Sequence, residues 1–287
     1  MVHGVAVVDK PAGVTSHDVV SQLRKRFQER RVGHAGTLDP GATGVLVVGV
    51  GMVTRLLRFV TEGPKRYTGE VVIGVETDTL DADGVVTAVH EKRLVDPDAA
   101  RAVIAAQLLG DIEQVPPMVS ALKVGGRRLH DVARQGIEIE RAPRPVRVDR
   151  FDIVGLSVDD GYQVLHVEVD CGAGTYVRSL AADLGRLLGS GAHLRNLRRT
   201  AVDPFTIAEA APPEECVLLP PLDAVRALSH VTVDTAARDA IVVGRPLPSP
   251  AGDGPWAMVS TDGELLAVYE AAADGRAKPA VVVGTNR

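Results

Sequence analysis

The stretch from Gly33 to Gly44 constrains the fold of this chain more than any other. It holds one histidine, one carboxylate and four glycines, and it leads directly into the apolar run 45–48. Glycine is costly to order and is most useful where backbone must turn sharply or let another group approach closely. Pro40 biases Asp39 toward an extended backbone. The pattern predicts a tight loop that displays the Asp39 carboxylate before a buried strand, although a plain polar turn would share the same composition.

Helix and strand patterns are mixed along the first 230 residues. One helix is predicted over residues 17–28 with Ser16 as its N-cap, and another over residues 177–188. Residues 146–158 and 162–170 alternate on either side of a short turn, which predicts a β-hairpin. Because strands and helices do not alternate regularly, we expect an α+β fold with a mixed, largely antiparallel sheet.

The composition changes after two proline pairs, and short strands and turns follow residue 230. We therefore expect two domains, over residues 1–229 and 230–287. A β domain as small as the second is marginal by itself, so it is expected to dock on the first.

A basic segment over residues 118–147 has prolines at its edges and a hairpin signal at Gly125-Gly126. It is predicted to project from the first domain as an insertion whose positive charge suits contact with phosphates. Since it is rich in Arg, Gly and Pro and has few large apolar anchors, we expect it to be mobile when it is free.

The chain as a whole carries a net charge of −5, which argues against nonspecific nucleic-acid binding. Its basic residues are nevertheless clustered, at 24–31, at 195–199 and between Lys123 and Arg150, where eight Lys and Arg oppose four acids. A local basic face can bind phosphates, so the clusters favour RNA slightly over ordinary solvated faces. An aromatic content of 3% argues against extended stacking on single strands.

The two cysteines, Cys171 and Cys216, form neither a disulfide framework nor a zinc pattern, and both are predicted to be small buried side chains. We see no targeting segment and no apolar run approaching the roughly 20 residues needed to span a bilayer. A cytoplasmic protein without membrane contact is the expectation.

Six short segments, spread in order over the first two-thirds of the chain, resemble motifs of the TruB family, the tRNA pseudouridine-55 synthases. Each segment alone is weak, but all six in the family's order are specific. They are the segments 8–16 (VDKPAGVTS), 33–44 (GHAGTLDPGATG), 65–67 (KRY), 78–84 (DTLDADG), 174–178 (GTYVR) and 191–199, which contains GAH and LRR.

This resemblance implies the pseudouridine synthase fold, followed by a small PUA-like RNA-binding β domain. It implies isomerisation of uridine 55 in the TΨC loop of tRNA by base flipping and attack of an aspartate. Such a reaction needs no cofactor and no metal. The family pattern further implies the T-arm of tRNA as partner, no guide RNA and a monomeric protein.

The resemblance also assigns catalytic roles. Asp39 matches the nucleophile, and Arg178 matches an arginine that pairs with it and favours its ionised form. Tyr67 matches a tyrosine that stacks on the target base and whose hydroxyl is available to assist proton removal from C5. Without the family match, Arg178 would be an ordinary arginine at a helix start and Tyr67 a core aromatic.

The remaining matched residues are assigned to substrate binding: His34, Lys10, Pro11, Leu197 and Tyr176. His34 would help to extrude the nucleotide, although a lone loop histidine is often structural. Lys10 and Pro11 would either buttress the Asp39 loop or contact a phosphate. Leu197 would pack against the base pocket, which is also compatible with an ordinary core leucine.

Other functions are open to such a chain. It could be a tRNA-binding or folding module with vestigial catalysis, or the catalytic subunit of a guide-RNA-dependent pseudouridine synthase. A carboxylate-based hydrolase is disfavoured because no second acid accompanies Asp39 in any motif. Asp78, Asp81 and Asp83 resemble the start of a calcium loop, but the further ligands do not follow. Whether Asp39 attacks C6 of the base or C1′ of the ribose is left open.

Overall fold

The computed structural model of the protein describes residues 2–120, 122–124, 127–129, 137 and 139–283. The helices in these ranges are α1 (Ser16–Phe27), α2 (Leu57–Thr61), α3 (Pro97–Gln107), α4 (Val177–Leu187) and α5 (Thr235–Val242), with short 3₁₀ turns at Gly51–Arg55, Ile207–Glu209 and Pro221–Val225. The strands up to the middle of the chain are β1 (Gly4–Lys10), β2 (Val32–His34), β3 (Thr43–Val50), β4 (Lys65–Ile73), β5 (Val75–Thr77), β6 (Val86–Val89), β7 (Gly110–Gln114), β8 (Lys123–Val124) and β9 (Arg127–Arg128). The later strands are β10 (Arg144–Asp159), β11 (Tyr162–Cys171), β12 (Ala192–Val202), β13 (Phe205–Thr206), β14 (Ser229–Val233), β15 (Leu247–Pro248), β16 (Trp256–Ser260), β17 (Leu265–Ala271) and β18 (Arg276–Val282).

The first sheet is mixed and largely antiparallel, as predicted. Its strand order is β1-β3-β12-β4-β11-β10-β7, and β2 and β13 pair onto β3 and β12. Among the described strands of this sheet, only β3 and β12 run parallel to each other. The predicted hairpin is the β10–β11 pair, in which Asp160 and Gly161 both have positive φ angles. An Asp-Gly pair adopts these angles readily, and the resulting turn matches the twist of the two strands.

Helix α1 begins one residue earlier than predicted, because Thr15 rather than Ser16 is its cap. Thr15 and Asp18 form a capping box, in which the Thr15 side chain accepts from the Asp18 amide and the Asp18 carboxylate accepts from the Thr15 amide. The Ser16 hydroxyl is buried and bonds instead to the amide and carbonyl of Leu38. The start of α1 is thereby tied to the loop that carries Asp39.

Both faces of the β1–β3 pair are buried. Val5 and Val7 point to one face and Ala6 and Val8 to the other, in keeping with the two-residue period of a strand. Helix α1 covers the second face. The first face is covered by α2 together with side chains from β16, β17 and β18.

Strands β14 to β18 form a second sheet of order β14-β16-β17-β18-β15. It has a core of its own around Trp256 and Tyr269, while Val259 and Leu265 belong to the apolar cluster shared with β1 and β3. Docking of this small sheet on the first therefore buries apolar surface that neither would cover alone.

The centre of the predicted insertion lies outside the described residues. Gly125-Gly126, for which a hairpin turn is predicted, falls there, and so does part of the segment that is expected to be mobile. Strands β8 and β9, which lie before and after these two glycines, pair antiparallel, with Lys123 opposite Arg128. Across the part of the chain that the structure describes, no helix is long and apolar enough to cross a membrane.

Candidate active site

The loop between β2 and β3 carries Asp39. The Ala35 amide donates to the Val47 carbonyl at one end of the loop, and the Ala42 amide donates to the Asp39 carbonyl at the other. Gly44, where β3 takes over, has φ +101°, and a Cβ atom there would lie 2.2 Å from the Arg199 carbonyl oxygen. Only glycine fits this position, because both the conformation and the space exclude a side chain.

Arg178 lies in the first turn of α4, and its Nε is 3.0 Å from Oδ2 of Asp39. Folding thus brings together two residues that are far apart in sequence, at the proximity that the family resemblance implies. The guanidinium is 3% exposed, whereas the Asp39 side chain is 39% exposed. The arginine therefore forms a fixed backing, and the carboxylate faces the open side.

The remaining nitrogens of Arg178 are also engaged. Nη1 donates to the Thr79 carbonyl at 2.8 Å and Nη2 to the Val119 carbonyl at 2.9 Å. Nη1 also lies 3.4 Å from Oδ2 of Asp81. A forked guanidinium held at several points has little freedom to rotate, so it presents Nε to Asp39 in one orientation.

Burial raises the pKa of the Asp39 carboxyl, although Arg178 opposes this effect. The negative charge of Asp81 raises this pKa further, and the positive charge of Lys10 lowers it. A carboxylate with a raised pKa is a better nucleophile when ionised than one that is strongly stabilised by its surroundings.

Lys10 lies under the Asp39 loop with no exposed surface. Its Nζ donates to the carbonyls of Pro11, Val14 and Pro40 at 2.7 to 3.1 Å. Burial lowers the pKa of Lys10 to about 8. This geometry favours a role for Lys10 in supporting the Asp39 loop over a role in contacting a phosphate, because the three donors of its ammonium group are used by backbone carbonyls.

Two clefts meet at Asp39, Arg178 and Leu197. The first is lined further by Tyr67, Lys65, Tyr176 and Arg199 on β4, on the segment before α4 and on β12. The second is lined further by Asp81, Asp83, Leu194, Arg195 and Asn196. The structure thus gathers the predicted residues Asp39, Arg178, Tyr67, Leu197 and Tyr176 around one opening.

Tyr67 occupies β4 between its sheet neighbours Val169 and Arg199. Burial raises the pKa of its hydroxyl, and the charge of Arg199 opposes that rise. The hydroxyl is therefore protonated at neutral pH. Tyr67 lines the cleft and combines an aromatic ring with a polar group at its tip, and its predicted stacking on the target base stays a prediction.

His34 and Pro11 are placed less directly. His34 lies on β2 opposite Val48, and it does not line either cleft. Burial lowers the pKa of its imidazole, and Nδ1 is buried without a hydrogen-bond partner among the described residues. Pro11 is exposed beyond the end of β1. Their assignment to substrate binding stays a prediction.

The basic cluster predicted at 195–199 does not form a common face. Arg195 pairs with Glu70 and Asp159, at 2.8 and 2.6 Å. Arg198 pairs with Asp9 at 2.7 Å. Arg199 is 2% exposed. Adjacent residues on a strand point to opposite faces of the sheet. Arg195, Arg198 and Arg199 therefore lie in three different environments.

Two residues at the site were missed from the sequence alone. Asp81 lies in a matched segment, but its spacing suggests only a calcium ligand, and nothing in the sequence assigns a role to Arg199. Both cysteines are buried, as predicted. Among the residues that the structure describes, no group of three or more His, Cys, Asp or Glu side chains could hold a metal ion.

Comparison with known families matches residues 24–177 to the N-terminal domain of the TruB family pseudouridylate synthases. Residues 178–225 match the C-terminal domain of tRNA pseudouridylate synthase B. The chain belongs to the TruB family. The first match contains Asp39 and Tyr67, and Arg178 is the first residue of the second. The second match ends before β14.

Curated relatives of the TruB family cover almost the whole chain. A protein of Mycobacterium sp. (strain KMS), named tRNA pseudouridine synthase B, is 46% identical over 98% of this chain and 96% of its own length. The protein of the same name from Mycobacterium tuberculosis (strain ATCC 25618 / H37Rv) is 43% identical over 92% of this chain and 91% of its own.

Solved structures share the fold. One chain of an H/ACA RNP bound to a substrate RNA containing 2′-deoxyuridine has a TM-score of 0.72 and 23% identity, covering 99% of this chain and 86% of that one. One chain of a Cbf5-Nop10-Gar1 complex has a TM-score of 0.71 and 25% identity, covering 99% and 84%. The similarity extends over the second sheet as well as the first.

Proposed function

We propose that this TruB-family chain isomerises uridine 55 in the T-arm of tRNA to pseudouridine. The observation that carries the proposal is the 3.0 Å contact between Arg178 and Asp39, at the mouth of a cleft that Tyr67 also lines. The names of the curated relatives support tRNA as the substrate.

The reaction breaks the N1–C1′ bond of uridine and forms a C5–C1′ bond. C5 loses a proton and N1 gains one, so no electrons are exchanged and no atoms are added. The ionised Asp39 carboxylate attacks the nucleoside, at C6 or at C1′. Arg178 holds that carboxylate in one orientation, which places the reacting oxygen before the substrate arrives.

A uridine that has left its base stack needs a replacement aromatic surface. Tyr67 and Leu197 supply one wall of the cleft next to Asp39. The Tyr67 hydroxyl is protonated at neutral pH, so it acts first as a hydrogen-bond donor. It could accept the proton from C5 only after it had lost its own proton.

Two alternatives are distinguished by particular observations. A binding module with vestigial catalysis would not need the contact between Arg178 and Asp39. Because burial of a charged guanidinium costs free energy, the presence of this contact argues against such a module. The H/ACA and Cbf5 chains are only 23% and 25% identical to this one, against 43% to 46% for relatives named as tRNA enzymes. We propose that the chain acts alone, as a monomer in the cytoplasm, and that its second sheet is a PUA-like RNA-binding domain.

The test uses unmodified tRNA transcript with tritium at C5 of its uridines, mixed with the isolated chain and no other RNA. We expect tritium release from wild type and none above background from Asp39→Asn. A transcript with cytidine at position 55 should also release none. Asp183→Asn, which removes a partly exposed carboxylate of α4, serves as the matched control and should be fully active.

A folded wild-type chain that binds this tRNA without releasing tritium would contradict the proposal and favour the binding module. Release only after addition of a guide RNA would favour the guide-dependent subunit instead.

A further inference from the structure

Arg199 is a buried cation beneath the cleft. Its side chain donates from Nε to the Val45 carbonyl at 2.7 Å, from Nη1 to the Thr37 carbonyl at 3.3 Å and from Nη2 to the Gly36 carbonyl at 3.1 Å. Two of these three acceptors belong to the loop that carries Asp39, and the third belongs to β3. The guanidinium therefore joins the loop to the strand that follows it.

No carboxylate lies within ion-pair distance of Arg199 among the residues that the structure describes. A buried charge without an opposite charge is costly unless its hydrogen bonds are satisfied. An apolar side chain would fill this space at less cost if packing were its only purpose. What the guanidinium adds is a set of fixed donors aimed at one short segment of backbone.

The sheet register places Arg199 between the two halves of the site. On one side it is the parallel partner of Gly44, which follows the Asp39 loop, and on the other it is the antiparallel partner of Tyr67. Gly44 packs directly on the Arg199 backbone. A shift of Arg199 would thus move the nucleophile loop relative to the stacking tyrosine.

The charge of Arg199 also acts on the site residues around it. Burial raises the pKa of Tyr67 and the charge of Arg199 opposes that rise, whereas at Lys10, Lys65 and His34 burial lowers the pKa and the charge of Arg199 lowers it further. Tyr67 and Lys65 line the first cleft, and Lys10 lies under the Asp39 loop. The guanidinium is consequently the charged centre that they share.

We propose that Arg199 is a positioning residue, which holds the Asp39 loop by the Gly36 and Thr37 carbonyls at a fixed place relative to Tyr67. The proposal rests on the proposed function for its kinetic part. It predicts that weakening Arg199 slows the chemical step without weakening tRNA binding, because the distance between nucleophile and base changes while the RNA-binding surface does not.

The first experiment measures single-turnover pseudouridine formation, tRNA affinity and thermal midpoint for Arg199→Lys and for Arg198→Lys. Arg198 is the matched control, since it is the next residue on β12 and makes a structural ion pair with Asp9. We expect Arg199→Lys to be slower by about 10²-fold, the usual cost of a displacement of about 1 Å, with unchanged affinity. Arg198→Lys should keep the wild-type rate.

The second experiment does not depend on activity. Hydrogen exchange of the backbone amides of residues 35–39, 41 and 42 should become faster in Arg199→Lys and stay at the wild-type rate in Arg198→Lys. If Arg199→Lys does not fold, Arg199→Gln replaces it in both experiments, because its amide can still donate to one carbonyl.

Three outcomes would overturn the proposal: wild-type rate and exchange in Arg199→Lys, equal effects in the two lysine variants, or failure of both Arg199 variants to fold while Arg198→Lys folds. A wild type that forms no pseudouridine would refute the proposed function, and the exchange data would then decide the role of Arg199 separately.

Discussion

The floor of the active site and the second sheet are built in opposite ways. Around the site, Lys10, Arg178 and Arg199 are all buried and direct their donors at backbone carbonyls. In the second sheet the largest buried side chains are Trp256 and Tyr269, and no charged residue described between 229 and 283 is buried.

The difference separates two tasks. Buried cations contribute little net stability, since desolvation offsets much of their attraction, but they fix geometry. Apolar side chains contribute stability in proportion to the area they bury, with little directional preference. We therefore expect substitutions in the first region to change rate and substitutions in the second to change the free energy of unfolding.

The largest stability effect should come from Trp256→Ala. The indole is 1% exposed and Nε1 donates to the Ala251 carbonyl. Its loss should lower the free energy of unfolding by about 3–5 kcal/mol, as for other large buried aromatics. Denaturant titration measures the loss, and the single-turnover rate of the folded fraction should be unchanged. A reduced rate at full folding would break the comparison.

Arg178→Lys should have the largest kinetic effect among variants that keep the charge. Lysine cannot reproduce the fork that reaches Asp39, Thr79 and Val119 together. We expect single-turnover formation of pseudouridine to slow by about 10²–10³-fold, the loss typical of one preorganised donor. Filter binding should give the wild-type affinity for tRNA, and weakened binding would show that Arg178 serves the RNA rather than the nucleophile.

The ion pair between Arg58 on α2 and Glu270 on β17 crosses the contact between the second sheet and the rest of the chain, with both side chains about half exposed. Arg58→Ala should change the free energy of unfolding by less than about 1 kcal/mol, as for other surface pairs. Leu265→Ala, in the shared apolar cluster, is the contrasting variant and should cost about 2–5 kcal/mol. Equal losses in the two would mean that charge, rather than apolar burial, docks the second sheet.

The smallest effect concerns Asp39 itself and has a definite sign. Its pKa is raised in the folded state, so the folded protein binds this proton more tightly than the unfolded chain. The stability contributed by Asp39 is present at low pH and is lost as pH rises through the folded pKa. Asp39→Asn should therefore unfold at a slightly higher temperature than wild type at pH 7.5, by calorimetry, and this gain should shrink toward pH 4.

Asp183→Asn gives the baseline for removal of a surface carboxylate. A lower unfolding temperature for Asp39→Asn at pH 7.5 would mean that Arg178 stabilises the ionised Asp39 more than burial destabilises it.

Local patterns predicted much of the fold. The Asp-Gly turn at 160–161 and the alternation around it located the β10–β11 hairpin, because both features act over a few residues. The predicted cap of α1, Ser16, lies one residue after the observed cap, Thr15. Thr15 and Ser16 are both residue types that cap helices well. Thr15 is the cap because Asp18 lies three residues after it and because the Ser16 hydroxyl is hydrogen-bonded to Leu38.

The site was harder to derive from the residues alone. Asp39 and Arg178 are separated by most of the first domain, and the expectation that they meet came from the family resemblance. Strand β12 has no simple alternation and is not predicted from the sequence, although it lies inside the sheet between β3 and β4. Because strand β12 is not predicted, the sequence does not show that Arg199 is buried whereas Arg195 and Arg198 are not.

Asp39 stands on the open side of a rigid support, with Arg178 closed off behind it. The contact between Asp39 and Arg178 is thus already formed without any bound RNA. The conformational change that brings the reactants together is then made by the RNA, because the uridine must flip out of the tRNA loop in which it is stacked. Turnover should consequently follow the ease with which each tRNA opens its elbow, and transcripts with a weakened elbow should be modified fastest.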